Sequence, residues 1–164
     1  MKKIIAIIVI SFMATVSCFA QYNTTYNNKY GGTIGTSSTS RSNGVTTTSY
    51  YNRYGGSIGT STTSSNYTGG YSTSYYNNFG GTTGTATTYS NYHGGYTTNY
   101  YDKNGGVTGT ATTQGNYGGG YTTNYYDKNG MSKGYSTTYS NYVGGSTTTY
   151  YNEYGGVIGT STDW

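Results

Sequence analysis

From residue 22 onward the apolar and polar positions do not fall into the 3.6-residue stripes of a helix. Short runs of Thr, Tyr and Ser alternate instead with breaks rich in Gly and Asn. The runs Thr97-Thr98-Asn99-Tyr100-Tyr101-Asp102 and 107–113 carry the branched and aromatic residues that suit a pleated, half-buried backbone, so each predicts a strand. One break reads Asp102-Lys103-Asn104-Gly105-Gly106, with Asn52-Arg53-Tyr54-Gly55-Gly56 earlier and Asn152-Glu153-Tyr154-Gly155-Gly156 later. A second break reads Asn-Tyr-x-Gly-Gly at 66–70, 91–95, 116–120 and 141–145. Asn or Asp opens a turn by hydrogen-bonding the backbone two residues on, and Gly supplies the positive φ that closes it. Both breaks therefore predict hairpins. The density of Gly and Thr excludes helix after residue 20.

These elements recur. Paired tyrosines stand at Tyr50 and Tyr51, Tyr75 and Tyr76, Tyr100 and Tyr101, Tyr125 and Tyr126, and Tyr150 and Tyr151, a step of 25 residues each time. A frayed copy at Thr25 and Tyr26 makes six, the first and last incomplete, in a repeat domain over 21–164. A fixed period marks an architecture in which each unit contacts mainly its neighbours. Two all-β arrangements fit the unit. In the first, successive β-hairpins join into an elongated, twisted antiparallel sheet. In the alternative, each unit is one coil of a β-solenoid, with equivalent residues stacked about 4.8 Å apart. The solenoid would ladder Asn66, Asn91, Asn116 and Asn141, but it would also stack Asp102 on Asp127 and Lys103 on Lys128. Its coils need an inward apolar row, and these strands supply mostly Thr, Ser and Tyr. The hairpin sheet is the expectation.

Tyr101-Asp102-Lys103-Asn104-Gly105 and Tyr126-Asp127-Lys128-Asn129-Gly130 resemble the Tyr-Asp-x-x-Gly core of YD repeats in Rhs-type secreted proteins. That resemblance implies long β-hairpin sheets. The other units carry Asn in place of Asp, as at Asn52, Asn77 and Asn152, and none has the Arg-Leu that commonly follows the glycine. The aromatic hairpin repeats of choline-binding and toxin carbohydrate-binding tails are similar too, although those rely on tryptophan and here only Trp164 occurs. In layout the chain is also similar to curlin-type fibre subunits, without their regular Gln positions. The likenesses imply a fold tendency and no binding residues.

The first twenty residues differ from the rest: Lys2 and Lys3, the apolar run 4–9, then Cys18-Phe19-Ala20 before Gln21. A positive start, a short apolar stretch and small residues at the cleavage positions predict a secretory signal peptide over 1–20. The run is too short for a membrane span. Cys18 admits lipidation in its place, but the leucine usual three residues before such a cysteine is missing. Cut after Ala20, the chain would hold no cysteine and so no disulfide. Export to the periplasm, cell surface or medium follows. With Lys2 and Lys3 in the leader, six cationic and four acidic residues remain, a dispersed balance of +2 that suits neither nucleic acid nor attraction to a membrane surface. There is no leucine in the chain, and Tyr, 25 in all, must supply most of any buried area.

No catalytic, cofactor or metal site is expected, and the reading is of a protein that is not an enzyme. His93 fills a slot that holds Thr68, Gly118 and Val143 in other copies, which describes a loop position. Asp102-x-Asn104-Gly105 offers too few carboxylates for calcium. Thr-x-Thr at Thr60 and Thr62, Thr85 and Thr87, and Thr110 and Thr112 would form a hydroxyl array for ice only on a flat surface, which sheet twist spoils. The tyrosine rows are the candidate interaction residues: Tyr51, Tyr76, Tyr101, Tyr126 and Tyr151 in the strands, and Tyr67, Tyr92, Tyr117 and Tyr142 in the turns. Neighbouring side chains point to opposite faces, so each Tyr-Tyr pair places a ring on either side of the sheet. The expected function is a secreted or surface-associated structural or adhesive element that self-assembles through its unpaired end strands. The alternative is a carbohydrate- or cell-wall-binding module built on the tyrosine rows.

Overall fold

The computed structural model describes residues 22–164 apart from 68, 92, 93 and 143. The expected signal peptide over 1–20, with Cys18, therefore lies outside the described residues, as do Tyr92 and His93. Twelve strands alternate with turns: β1 (Tyr22–Asn28), β2 (Thr33–Ser42), β3 (Val45–Asn52), β4 (Ser57–Ser65), β5 (Tyr71–Asn77), β6 (Thr82–Ser90), β7 (Tyr96–Asp102), β8 (Val107–Gly115), β9 (Tyr121–Asp127), β10 (Ser132–Ser140), β11 (Ser146–Tyr151) and β12 (Val157–Asp163). Every neighbouring pair is antiparallel, and β1 also pairs with β12, Thr25 opposite Thr162 and Tyr26 opposite Ser161. The sheet is a closed, up-and-down barrel.

Closure corrects both expected arrangements, the elongated open sheet and the solenoid. Stagger accounts for part of it. Thr73 of β5 pairs with Ala86 of β6, and Ala86 with Tyr100 of β7, two positions beyond Thr98, the equivalent of Thr73 one unit later. Two residues per unit over six units give a shear of roughly twelve, equal to the strand number. That ratio tilts the strands by about 36° in eight-stranded barrels. Bulges account for the curvature. Each of the six hairpins carries one at the same place: β3 and β4 slip so that Tyr50 faces Gly59 and Tyr51 faces Ser57, leaving Ile58 unpaired. Ile34, Thr83, Thr108, Lys133 and Ile158 are the extra residues of the other five. A bulge bends its strand and adds twist, so a sheet with one in every hairpin curls until its ends meet. The solenoid fails for a different reason. Equivalent residues such as Asp102 and Asp127 fall on alternate strands, separated by an intervening strand rather than stacked.

Small residues fill the inner wall. Gly35 and Ser37, Gly59 and Ser61, Gly84 and Ala86, Gly109 and Ala111, Gly134 and Ser136, and Gly159 and Ser161 are all buried. Directly opposite each of those glycines stands the first tyrosine of the pair, or Tyr26 in the first unit. Its ring covers the strand where the glycine leaves room. The glycines are fixed by a second contact as well. A Cβ on Gly59 would lie 2.3 Å from the Tyr76 carbonyl oxygen, closer than packed atoms approach. Further along the same face, threonine pairs join neighbouring units through hydroxyl hydrogen bonds, Thr63 with Thr73 and Thr88 with Thr98, both at 2.9 Å. The core is thus polar, closed by hydroxyls and phenols, with Ala86 and Ala111 as its buried aliphatic residues among those described.

Candidate functional site

The meander sorts the turns onto two ends. Six turns, one inside each bulged hairpin, lie at what we term the hairpin end. Five turns linking successive units, together with Tyr22 and Trp164, lie at the junction end. At the hairpin end Asn52 shows the local rule. Its Oδ1 accepts the backbone N–H groups of Tyr54 and Gly56 at 2.9 and 3.0 Å, its carbonyl accepts from Gly55, and Gly55 takes φ +79. That is a type I turn closed by a bulge glycine, the usual three-residue hairpin loop. Asp102 does the same work with its carboxylate, accepting from Asn104 and Gly106 at 2.8 and 2.9 Å. These carboxylates are therefore turn caps. In the equivalent turn Asp127 sits below the usual carboxylate range, chiefly because it accepts the Met131 N–H and with help from Asn129 and Lys133.

The barrel separates the tyrosines into three sets. The strand row Tyr51, Tyr76, Tyr101, Tyr126 and Tyr151 points outward and is half-buried, forming a belt on the wall just below the hairpin end. Tyr151 stacks on Tyr135 of β10, centroids 4.5 Å apart. Of the turn row, Tyr67, Tyr117 and Tyr142 are fully exposed tips at the junction end, and Tyr92 is outside the described residues. The two rows consequently occupy different heights and make no common surface. The Thr-x-Thr residues share the outer wall, which is curved.

The third set is the inner ring of Tyr26, Tyr50, Tyr75, Tyr100, Tyr125 and Tyr150. Burial of the phenol, which penalises the phenolate, raises all six above their ordinary value, Tyr26 to about 12. Neighbouring phenols add to the shift around the ring, from Tyr26 and Tyr50 through to Tyr125 and Tyr150. Four hydroxyls meet the serine two places beyond the facing glycine: Tyr26 with Ser37, Tyr50 with Ser61, Tyr125 with Ser136 and Tyr150 with Ser161, at 3.0 to 3.2 Å. Units three and four have Ala86 and Ala111 at that place. The buried Tyr75 hydroxyl there makes no well-formed hydrogen bond, with Thr73 beside it. The inner ring is structural wall.

The surface that the sequence reading missed is the hairpin end. Aromatic tips project from four of its six turns: Tyr30 (84 % exposed), Tyr54 (78 %), Phe79 (89 %) and Tyr154 (87 %). Ile34, Ile58, Val107, Met131, Val157 and Ile158 stand exposed within a few residues of those turns. Of the described isoleucines, valines and methionines, Val45 alone lies at the other end. Five of the six cationic residues after residue 20, Lys29, Arg53, Lys103, Lys128 and Lys133, lie there too, against Asp102, Asp127 and Glu153. Lys29 and Arg53 each lie over the ring of the tyrosine that follows, 4.9 and 4.5 Å from its centroid. The signal was present in the sequence as the repeat positions after each Tyr-Tyr pair. It was obscured because the aliphatics are scattered along the chain, one or two per repeat, and only the barrel gathers them.

Among the described residues no three His, Cys, Asp or Glu side chains gather in a group able to hold a metal, and no described helix is long and apolar enough to cross a membrane. No protein-family model matches the chain, and no curated protein matches it.

Proposed function

We propose that the chain is an exported, surface-associated structural or adhesive element of a bacterial envelope, with a rigid barrel as scaffold and the hairpin end as the adhesive face. One observation carries this reading. Exposed aliphatic side chains and most of the cations are concentrated at one end of a cylinder whose outward strand positions are otherwise mainly Thr, Ser, Asn and Tyr, while exposed aromatic rings stand at both ends. A wall of that composition lacks the apolar band of a membrane-spanning barrel. The leader-like start supports export. Self-association through the end strands has no free edge to use, because β1 and β12 pair with each other. Any self-association would have to use the ends or the wall.

The test is retention of the purified chain on bacterial envelope fragments, comparing wild type with a Phe79→Ser, Ile58→Ser, Met131→Ser variant. Wild type should be retained and the variant lost. Equal retention of both would remove the hairpin end as the adhesive face. A second reading, a carbohydrate- or cell-wall-binding module, is favoured by the outward belt of tyrosines, whose ring faces suit stacking on sugars. Retention on peptidoglycan that survives the hairpin-end variant and is lost on Tyr76→Ser with Tyr101→Ser would decide for it.

A further inference from the structure

We infer that the partner of the hairpin end is an anionic lipid surface, on which the barrel stands upright with its turns in the headgroup layer. This rests on the adhesive reading above and names the partner. Three observations lead to it. The first is shape: six equivalent hairpins of one closed barrel bring their turns to a common height, and a ring of tips at one height fits a plane. The second is composition. A sugar would be met by rings alone, whereas this end adds Ile34, Ile58, Met131 and Ile158, aliphatic groups that gain by leaving water for the acyl boundary. Just behind them comes the outward tyrosine belt, at the depth where amphipathic rings sit in membrane-contacting proteins. The third is charge. Five cations face three acids at this end, a local excess of two, with Lys133 paired to Asp127 at 3.5 Å and Lys29, Arg53, Lys103 and Lys128 left toward solvent. An anionic surface is favoured, each exposed Lys or Arg adding about fivefold in partitioning. A second copy docked end to end would bring the same cations face to face, so it is the weaker occupant.

The experiment uses the full mature chain and vesicles of phosphatidylcholine with or without phosphatidylglycerol. In a Trp164→Phe background, Phe79→Trp places a reporter at the hairpin end, while the native Trp164 reports from the junction end. The inference predicts co-sedimentation with the anionic vesicles and a blue shift of the hairpin-end reporter's emission, with Trp164 emission unchanged in the native chain. Replacing Lys29, Arg53, Lys103 and Lys128 by Gln should lower partitioning into anionic vesicles at least about a hundredfold. Tyr67→Ser with Tyr117→Ser, at the other end, should leave it unaltered. Absence of vesicle binding, or a shift of Trp164 in place of the hairpin-end reporter, overturns the lipid partner. If vesicles fail while the hairpin-end variant still loses retention on envelope fragments, the adhesive face stands and its partner is a protein or glycan. If that variant also keeps its retention, both readings fall.

Discussion

Apart from the two-residue Asn43-Gly44 turn at the junction end, the two ends of the barrel use turns of the same design and differ in what the second glycine touches. At the junction end a Cβ on Gly70, Gly95, Gly120 or Gly145 would lie within 2.0 Å of a backbone carbonyl oxygen, that of Thr88, Thr113, Thr138 or Asp163. Each of these turns leans on the second strand of the following unit, and a backbone neighbour cannot move aside. At the hairpin end a Cβ on Gly56 or Gly106 would meet only the cap side chain of Asn52 or Asp102, at 2.8 and 2.9 Å. Unit five places Met131 there, and its turn keeps the same hydrogen bonds, Asp127 N–H to the Met131 carbonyl at 2.9 Å. One end is therefore held by main-chain contacts that admit no side chain, while the other tolerates variation. Most of the exposed aliphatics and charges of the molecule collect at the tolerant end.

The largest expected effect breaks this contrast directly. Gly95→Ala should destabilise by about 3 kcal/mol or more, since the Thr113 carbonyl at 1.9 Å must be displaced. Gly106→Ala should cost less than about 1 kcal/mol, and urea midpoints of the two variants measure the difference. Equal midpoints would show the ends to be alike.

The next effect concerns the inner phenols that line the wall below the hairpin end. Their folded values lie above the unfolded value near 10, so the stability they confer is complete below pH 10. It falls as pH rises from there towards the folded value, about 12 for Tyr26. Tyr26 alone should account for about 3 kcal/mol across that interval. Absorbance titration should show the inner ring ionising only well above pH 10, together with unfolding monitored by circular dichroism. A single transition with the fold intact would contradict burial of the ring.

Smaller still is a comparison within that ring. Tyr50→Phe should cost about 1 kcal/mol because it leaves the buried Ser61 hydroxyl without its partner, whereas Tyr75→Phe should be neutral or slightly stabilising. Thermal midpoints of the two variants decide it. The least effect is expected at Asp127, whose depressed folded value means that its turn is favoured above the ordinary carboxylate value near 3.8 and loosens as pH falls below it. Amide shifts of Asn129 and Met131 should follow that titration, and those at the uncharged Asn77 turn should not.

Strands, turns and their period were legible in the chain because they are local. Asn52 and Gly55, or Asn116 and Gly119, specify a turn wherever they are placed. The alternation of Tyr50 with Tyr51 also told correctly that the rings divide between two faces. Closure was not legible, because it depends on the sum of six bulges and six two-residue steps, none of which has a side-chain signature beyond an extra residue such as Ile58. The inner face was legible only in part, for a chemical reason. Tyr was expected to supply the buried area, but the row its rings cover is Gly and Ser or Ala, as in Gly59 and Ser61, small residues that make sense only once a tyrosine lies across them. The hairpin-end surface was missed for the same reason in reverse, since Ile34, Ile58 and Ile158 belong to bulges and face outward to solvent.

Closure at the seam between β1 and β12 is the claim on which both ends depend. It is tested by replacing Thr25 and Thr162, directly opposed on the outer wall, with cysteine, in a chain whose Cys18 is changed to serine. Paired antiparallel residues lie within disulfide reach, so mild oxidation should give a monomeric, internally crosslinked product in high yield. An open sheet would hold the two positions roughly 50 Å apart, eleven strand spacings, and would yield only free thiols or disulfide-linked multimers.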